Sequence, residues 1–389
     1  MPQAYIVSAT RTAGGKRDGR LGGWHPVDLA AAMLDAAVER AGVAPDAVDD
    51  VIMGCVSQVG EQGLHFGRNA VLASGLPESV PAVTIDRQCG SSQQAIHFAA
   101  QAVMSGTQDV VIAAGAESMS RVAMGTTGRW ARRATPGSPT SPKLARNYPE
   151  VMFSQYTGAE MLARKWNLAR DDLDAYALLS HQRAARATRT GAFKDEILPL
   201  KIMTGGGADL HERDEGIRPD ATFRAIAALR SLTGDGVITA GNASQICDGA
   251  AAVMIASEQA VQTHGLTPLA RIHALTVTAG DPVIMLEEPL FATDRALRRA
   301  GMTIDDIDLF EVNEAFAPVP LAWLRHTGGD PERLNVNGGA IALGHPLGAS
   351  GAKLMTTLVH ALRARGKRYG LQTMCAGGGL ANVTIVEAL

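Results

Sequence analysis

Ala41-Gly42-Val43-Ala44-Pro45-Asp46-Ala47-Val48-Asp49 lies without a gap over Ala300-Gly301-Met302-Thr303-Ile304-Asp305-Asp306-Ile307-Asp308. The offset is 300 minus 41, or 259 residues. In each copy a helix ends at Ala-Gly, a turn follows, and an acidic residue precedes an apolar strand. Glycine after a helix is the expected C-cap, because it enters the left-handed region without steric penalty. Part of the match is therefore the ordinary grammar of helix ends. The order of later elements argues for more than grammar. A strand, a Gly-rich turn and a helix recur over residues 334–359, and two strands close the chain near residues 371–375 and 383–387. The reading adopted is duplication into two similar halves.

Working outward, the first half alternates short β-rich runs with helical patterns. Residues 5–7, 51–53, 82–85 and 110–114 read as strands, and residues 27–41 and 91–104 as helices. Leu29, Met33, Leu34 and Val38 fall at helical spacing. Such alternation predicts an α/β layered fold around a largely parallel sheet. Between the halves the composition changes. Arg121, Arg129, Arg132, Arg133, Lys143 and Arg146 stand among Gly, Pro, Ser and Thr, which predicts an extended exposed loop over 121–150. A helical region over 159–190 and an irregular polar stretch over 203–222 follow. The predicted organisation is a first half of residues 1–117 plus 245–266, an insertion of 118–244, and a second half of 267–389.

Charge and cysteine usage narrow the function classes. Hydrophobic residues make up 46% and charged residues 19% of the 389, ordinary for a soluble globular enzyme. A formal net charge of −3 gives no electrostatic reason to expect nucleic acid or an anionic membrane as partner. Any anionic ligand must be held by a local basic cluster. Cys55, Cys89, Cys247 and Cys375 are far apart and form no CxxC pair, which argues against a disulfide framework or a zinc knuckle and for a reducing compartment. No basic-then-apolar leader, membrane-length apolar run or Ser-Lys-Leu ending is read, so the expected location is cytoplasmic.

Four segments carry residues able to do chemistry. Cys89 lies in Asp86-Arg87-Gln88-Cys89-Gly90-Ser91-Ser92, between a strand and a helix. The unpaired N–H groups and dipole of a helix N-terminus favour a thiolate there. A small apolar residue packed at the strand's end fits the segment equally well. Cys375 precedes Gly377-Gly378-Gly379, closely after a strand. Three glycines supply no packing and point to a close approach, and their N–H groups can stabilise an oxyanion. A flexible turn after a buried cysteine is the other reading. His345, between Gly344 and Pro346, cannot sit in a helix interior. It is suited to act as base for a thiol, or it is a solvated or structural histidine. A P-loop is disfavoured, since its Lys-Ser/Thr is missing. Asn313 and Glu314 follow the strand over 309–312, either at a site or capping the next helix.

Together these segments resemble the thiolase family over essentially the whole chain. The resemblance includes Ile6-Val7-Ser8-Ala9-Thr10-Arg11-Thr12, the turn Gly115-Ala116-Glu117-Ser118-Met119-Ser120, and Thr239-Ala240-Gly241-Asn242-Ala243-Ser244. It implies two βαβαβαββ halves in a five-layer α-β-α-β-α arrangement with an inserted loop domain. It implies acyl transfer between coenzyme A thioesters, with no metal, no nucleotide redox cofactor and no tightly bound group. By the resemblance Cys89 carries the acyl group, His345 activates it, and Cys375 exchanges the α-proton. Asn313 holds a water that shares one oxyanion hole with His345, while the N–H groups of Cys89 and Gly377 form the other. Ser244 matches a position at the pantetheine and Arg218 one near the adenine. A dimer or a dimer of dimers is also implied. For the run Arg129–Arg146, phosphate or subunit contact and a solvated loop both remain open.

The segment Phe153-Ser154-Gln155-Tyr156-Thr157-Gly158 departs from the biosynthetic acetoacetyl-CoA thiolases, which carry His-Met-Gly before the Ala-Glu that here is Ala159-Glu160. It resembles degradative members, including those that trim sterol side chains. The expectation is CoA-dependent cleavage of a medium, branched or bulky 3-ketoacyl-CoA, or its reverse. The alternatives are a biosynthetic acetoacetyl-CoA thiolase, a decarboxylating or HMG-type condensing enzyme, and a non-catalytic acyl or lipid carrier on the same fold. Retention of both cysteines and of His345 speaks against the last two.

Overall fold

The computed structural model describes residues 3–128 and 137–389. Nine strands form its main framework: β1 (Ala4–Thr12), β2 (Asp50–Gly54), β3 (Ala82–Ile85), β4 (Val110–Ser118), β5 (Cys247–Ser257), β6 (Ala270–Ala279), β7 (Leu309–Val312), β8 (Tyr369–Ala376) and β9 (Leu380–Ala388). Four helices organise the layers: α1 (Pro26–Ala41), α2 (Ser91–Ser105), α3 (Glu288–Ala300) and α4 (Ser350–Ala364).

The matched nonapeptides occupy equivalent places. α1 and α3 end on Gly42 and Gly301, with left-handed φ of 69° and 66°. The turns Pro45–Ala47 and Ile304–Asp306 follow, again 259 residues apart. α2 and α4 begin and end at the same offset. Strand register repeats too: Val51 lies opposite Ile112, and Phe310 opposite Leu371.

The strands run in the order β7-β8-β9-β6-β1-β5-β4-β2-β3. Each half contributes a contiguous block, and among the described residues the blocks pair through Tyr5–Arg271 and Ile6–Ala270. The sheet is mixed, not largely parallel as the alternation predicted. β2–β3, β2–β4 and β7–β8 are parallel, whereas the strands between β4 and β8 pair antiparallel. The reason is local: β8 turns back into β9 through Gly377–Gly379, and β5 arrives from the insertion.

Alternate strand residues face opposite layers, as pleating requires. On β5, Ala250, Ala252, Met254 and Ala256 pack towards α1, while Ala251, Val253 and Ile255 pack towards α2 and α4. In the second half Phe310, Leu371 and Ile385 pack towards α3. Helices α2 and α4 thus lie between the two strand blocks, with α1 and α3 outside. Their contact is too close for a side chain: a Cβ on Gly351 would sit 2.1 Å from the Gln93 nitrogen.

The insertion is anchored through Arg11. Its guanidinium is buried and pairs with Glu196 at 2.6 Å and Asp214 at 2.9 Å. Two helices, Gln155–Lys165 and Arg170–Arg189, occupy the predicted helical region. Residues 200–211 form a hairpin, although the polar stretch from 203 read as irregular. Gly115–Ser118, read as a turn, extends β4 against Ala251–Asp248. The strand expected at 334 is a single bridge, Phe310–Leu334. Within the predicted basic loop, Pro142–Asn147 is helical, and Arg129, Arg132 and Arg133 lie outside the described residues.

Candidate active site

Cys89 sits in the connection from β3 to α2, one residue before the N-cap Gly90. Its predecessor Gln88 has φ of 49°, a left-handed conformation that a non-glycine residue adopts at a cost. The twist is held by Gln88 N–H donating to Asp86 Oδ1 (2.7 Å) and Ser91 Oγ donating to Gln88 O (2.6 Å). Gly90 is required by packing, since a Cβ there would lie 2.8 Å from Asn382 Oδ1. The N–H groups of Cys89 and Gly377 are both directed at the Cys89 sulfur and lower its pKa, but burial outweighs them and pushes the thiol up to about 12. This departs from the helix-terminus expectation: the resting group is a thiol and needs a base.

Cys375 is fully buried at the end of β8, one position before the Ala376–Leu380 pair that closes the hairpin. Burial first, and the neighbouring Cys89 second, push its thiol well up. Gly378 and Gly379 have φ of 88° and 75°, and a Cβ on Gly379 would meet Asp281 O at 2.7 Å. The triple glycine therefore serves a tight turn that leaves Gly377 beside Cys89.

His345 is buried, and burial holds its imidazole down at about 4, so the ring is neutral. Its Nδ1 contacts Ser350 Oγ at 2.5 Å, and that hydroxyl donates to Pro346 O at 2.9 Å. Donating to Pro346 O, Ser350 is placed to accept from His345 Nδ1–H. That arrangement puts the ring's lone pair on Nε2, 3.5 Å from Asn313 Nδ2. Asn313 is fixed by its N–H bond to Thr373 O, two residues before Cys375.

The His345 loop packs against the start of the Cys89 helix. A Cβ on Gly54 would lie 2.6 Å from both Gly348 O and Ser92 N, and Ala352 N–H donates to Ser92 Oγ at 2.9 Å. Glu117 binds the two sides together. It accepts from Val56 N (2.9 Å), Ser57 N (3.0 Å), Gln62 Nε2 (2.9 Å) and Gly348 N (2.9 Å). Glu314 faces away from the site and clamps the loop before His345. It accepts from Tyr176 Oη, Ser180 Oγ, Asn335 Nδ2 and Ile341 N.

A cleft of about 440 Å³ opens over His345, lined by Met119, Tyr156, Arg218, Ser244 and Phe316 among others. A neighbouring groove of about 520 Å³ shares Arg218, Ala240 and Gln245 with it. Ser244 N–H donates to Ala315 O, and Gln245 O accepts from His345 N–H, so the groove floor is tied directly to the histidine. Tyr156 meets Phe316 edge-on, with centroids 5.6 Å apart, forming an aromatic wall.

The structure thus brings Cys89, Cys375 and Gly377 together, and His345 with Asn313, while Arg218 and Ser244 line the adjoining cleft. Sequence reasoning missed Ser350, Glu117 and the Gln88 twist. Ser350 stands five residues after His345 at the start of a helix, a signal that was available in the sequence.

The thiolase N-terminal domain model matches residues 4–259 and the thiolase C-terminal domain model residues 266–388. The chain belongs to the thiolase family. It is 50% identical over 391 residues to a steroid 3-ketoacyl-CoA thiolase of Mycobacterium tuberculosis, covering 100% of this chain and 95% of the relative. It is 41% identical to an acetyl-CoA acetyltransferase of Chromobacterium violaceum, over 99% of each chain. The crystal structure of human mitochondrial 3-ketoacyl-CoA thiolase superposes with a TM-score of 0.89 at 39% identity, over 100% of this chain and 99% of the other. This thiolase is accordingly an acyltransferase enzyme of α/β class. No helix among its described residues is long and apolar enough to cross a membrane.

Proposed function

We propose that this thiolase cleaves 3-ketoacyl-CoA through an acyl-Cys89 intermediate and prefers a medium, branched or bulky acyl chain to acetoacetyl-CoA. His345 Nε2 takes the Cys89 proton as the sulfur attacks the 3-keto carbon. Two oxyanions are held by preorganised donors: the alkoxide at C3 by the N–H groups of Cys89 and Gly377, and the enolate of the departing acetyl thioester by His345 with a water on Asn313. Breaking the C2–C3 bond leaves the carbanion equivalent of acetyl-CoA, which takes a proton from Cys375. Free CoA thiol then attacks acyl-Cys89, its proton passing to the Cys375 thiolate; the Cys89 sulfur departs, recovers the proton held by His345, and the shortened acyl-CoA leaves. The same steps in reverse are a Claisen condensation.

The observation that carries this reading is the His345–Ser350 contact in a buried site, which supports a neutral imidazole with Nε2 left to act as base for the Cys89 thiol. Ser244 and Arg218 are assigned to the pantetheine and adenine ends of CoA, in keeping with the groove they line. The preference for bulk is supported by the cleft of about 440 Å³ with its Met119, Tyr156 and Phe316 walls, and by the name of the 50% identical relative. A homodimer or homotetramer in the cytoplasm is part of the same proposal. The test is thiolytic cleavage of acetoacetyl-CoA, a medium-chain and a bulky 3-ketoacyl-CoA by purified protein. Higher kcat/KM for the longer substrates is expected; a rate for acetoacetyl-CoA far above the others overturns the preference but keeps the chemistry.

A further inference from the structure

Asn313 borders a second, much smaller space of about 10 Å³, lined also by Glu311, Leu343, Ser350, Lys353 and Thr357. That volume is about one water probe. Glu311 and Asn313 are two positions apart in an extended segment and share a face. Both are buried, and Glu311 Oε2 and Asn313 Oδ1 have no hydrogen-bond partner among the described residues. A polar atom left so in the interior is costly, and two lining one water-sized space point to a shared bridge.

The chemistry of the bridge follows from charge. The nearby cations are committed elsewhere, Arg11 to Glu196 and Asp214, and Lys353 to Leu343 O at 2.5 Å. Burial first, then the repulsion of Glu314 and Glu196, raises the Glu311 carboxyl well above the usual carboxylate range. A neutral carboxyl is a donor. An Asn amide has two nearly isosteric orientations, and its surroundings choose between them. A donor behind Asn313 selects Oδ1 backward and Nδ2 forward, towards His345 Nε2.

We propose that Glu311 is a positioning residue for Asn313, donating through one water in this space to Asn313 Oδ1 and so presenting Nδ2 to the His345 side. The proposal rests on the oxyanion role assigned to Asn313 above. The test is steady-state thiolysis by Glu311→Leu, Glu311→Gln, Asn313→Ala and the double variant Glu311→Leu/Asn313→Ala, with thermal melts as a check on folding. Glu311→Leu should lose about 10- to 100-fold in kcat, the range for partners one step removed from reacting groups, with KM changed less than about twofold. Glu311→Gln retains a donor and should recover to within about threefold of the parent. On the Asn313→Ala background, Glu311→Leu should add nothing. Glu311→Gln as slow as Glu311→Leu, parental kcat in Glu311→Leu, or multiplicative losses in the double variant would each overturn the proposal. Parental kcat in Asn313→Ala would instead remove the oxyanion role of Asn313 on which it rests.

Discussion

Helices α2 and α4 start on serines 259 residues apart, and the two hydroxyls do the same work on different partners. Ser91 Oγ accepts from Arg87 N–H at 2.9 Å and donates to Gln88 O. Ser350 Oγ accepts from His345 Nδ1 and donates to Pro346 O. In the first half the clamp orders backbone; in the second the same clamp holds a catalytic ring. The offset also sets Gly348 against Cys89, Ala116 against Cys375, and Gly54 against Asn313. Each of these three has a counterpart with little or no side chain, whereas His345 lies over Asp86. Space explains at least two of these. A Cβ on Gly348 would lie 2.7 Å from Cys55 Cα and 2.8 Å from Gly54 O, and one on Gly54 would meet Gly348 O at 2.6 Å. Duplication built two similar loops, and a shared site requires the silent copies to give up volume so that the active ones can meet.

The largest effects should come from the positions where the halves differ chemically. Cys89→Ala should lower turnover by about 10⁴-fold or more, as loss of a covalent nucleophile does. Intact-protein mass after exposure to acetyl-CoA should show no acyl adduct. Cys375→Ser should still acylate while losing cleavage and condensation. Equal loss of both partial reactions would mean that the two cysteines do not divide the chemistry as proposed.

Next is the counterpart of Cys89. Gly348→Ala forces a methyl against backbone that cannot swing aside, and overpacking of this kind costs about 3 kcal/mol. Chemical denaturation should report it as a lower midpoint with unchanged slope. A midpoint like that of the parent would show that the loop has room, and the volume argument for the silent copies would fall.

Much of this architecture is legible from residues alone. The Gly42 and Gly301 caps and the twin helices follow from local pattern, because helix ends and strand runs are local events; Cys89, Cys375 and His345 each kept two readings until the family resemblance joined them. What stayed hidden depends on contacts distant in sequence. Glu117 looks like one acidic residue in a turn, and only the fold gives it donors from residues 56, 57, 62 and 348. Gly115–Ser118 read as a turn because its glycine and serine suit one, whereas pairing with a strand from beyond the insertion extends it. The Cys89 thiol shows the same limit: a helix N-terminus can be inferred from sequence, but the burial that outweighs it cannot.

The smallest effect separates the two serines most sharply. Ser350→Ala frees the Nδ1 proton of His345, so both tautomers populate and part of the enzyme carries its proton on the nitrogen that must accept one. A loss of about 10-fold in kcat is expected, in the range for a partner that orients a functional histidine. Burial sets the pKa of this ring, with Lys353 a lesser influence in the same direction. The imidazole is base-competent when neutral, so kcat/KM should fall as pH drops through about 4, in both the parent and Ser350→Ala. Ser91→Ala loses only backbone bonds and should cost about 1 kcal/mol of stability, with kcat within about threefold. An equal rate loss from both serines would make them the same structural clamp, with nothing special to the histidine. An acid limb near pH 6.5, the ordinary histidine value, would show that the ring is not held neutral by burial, and the case for a buried neutral base would fail with it.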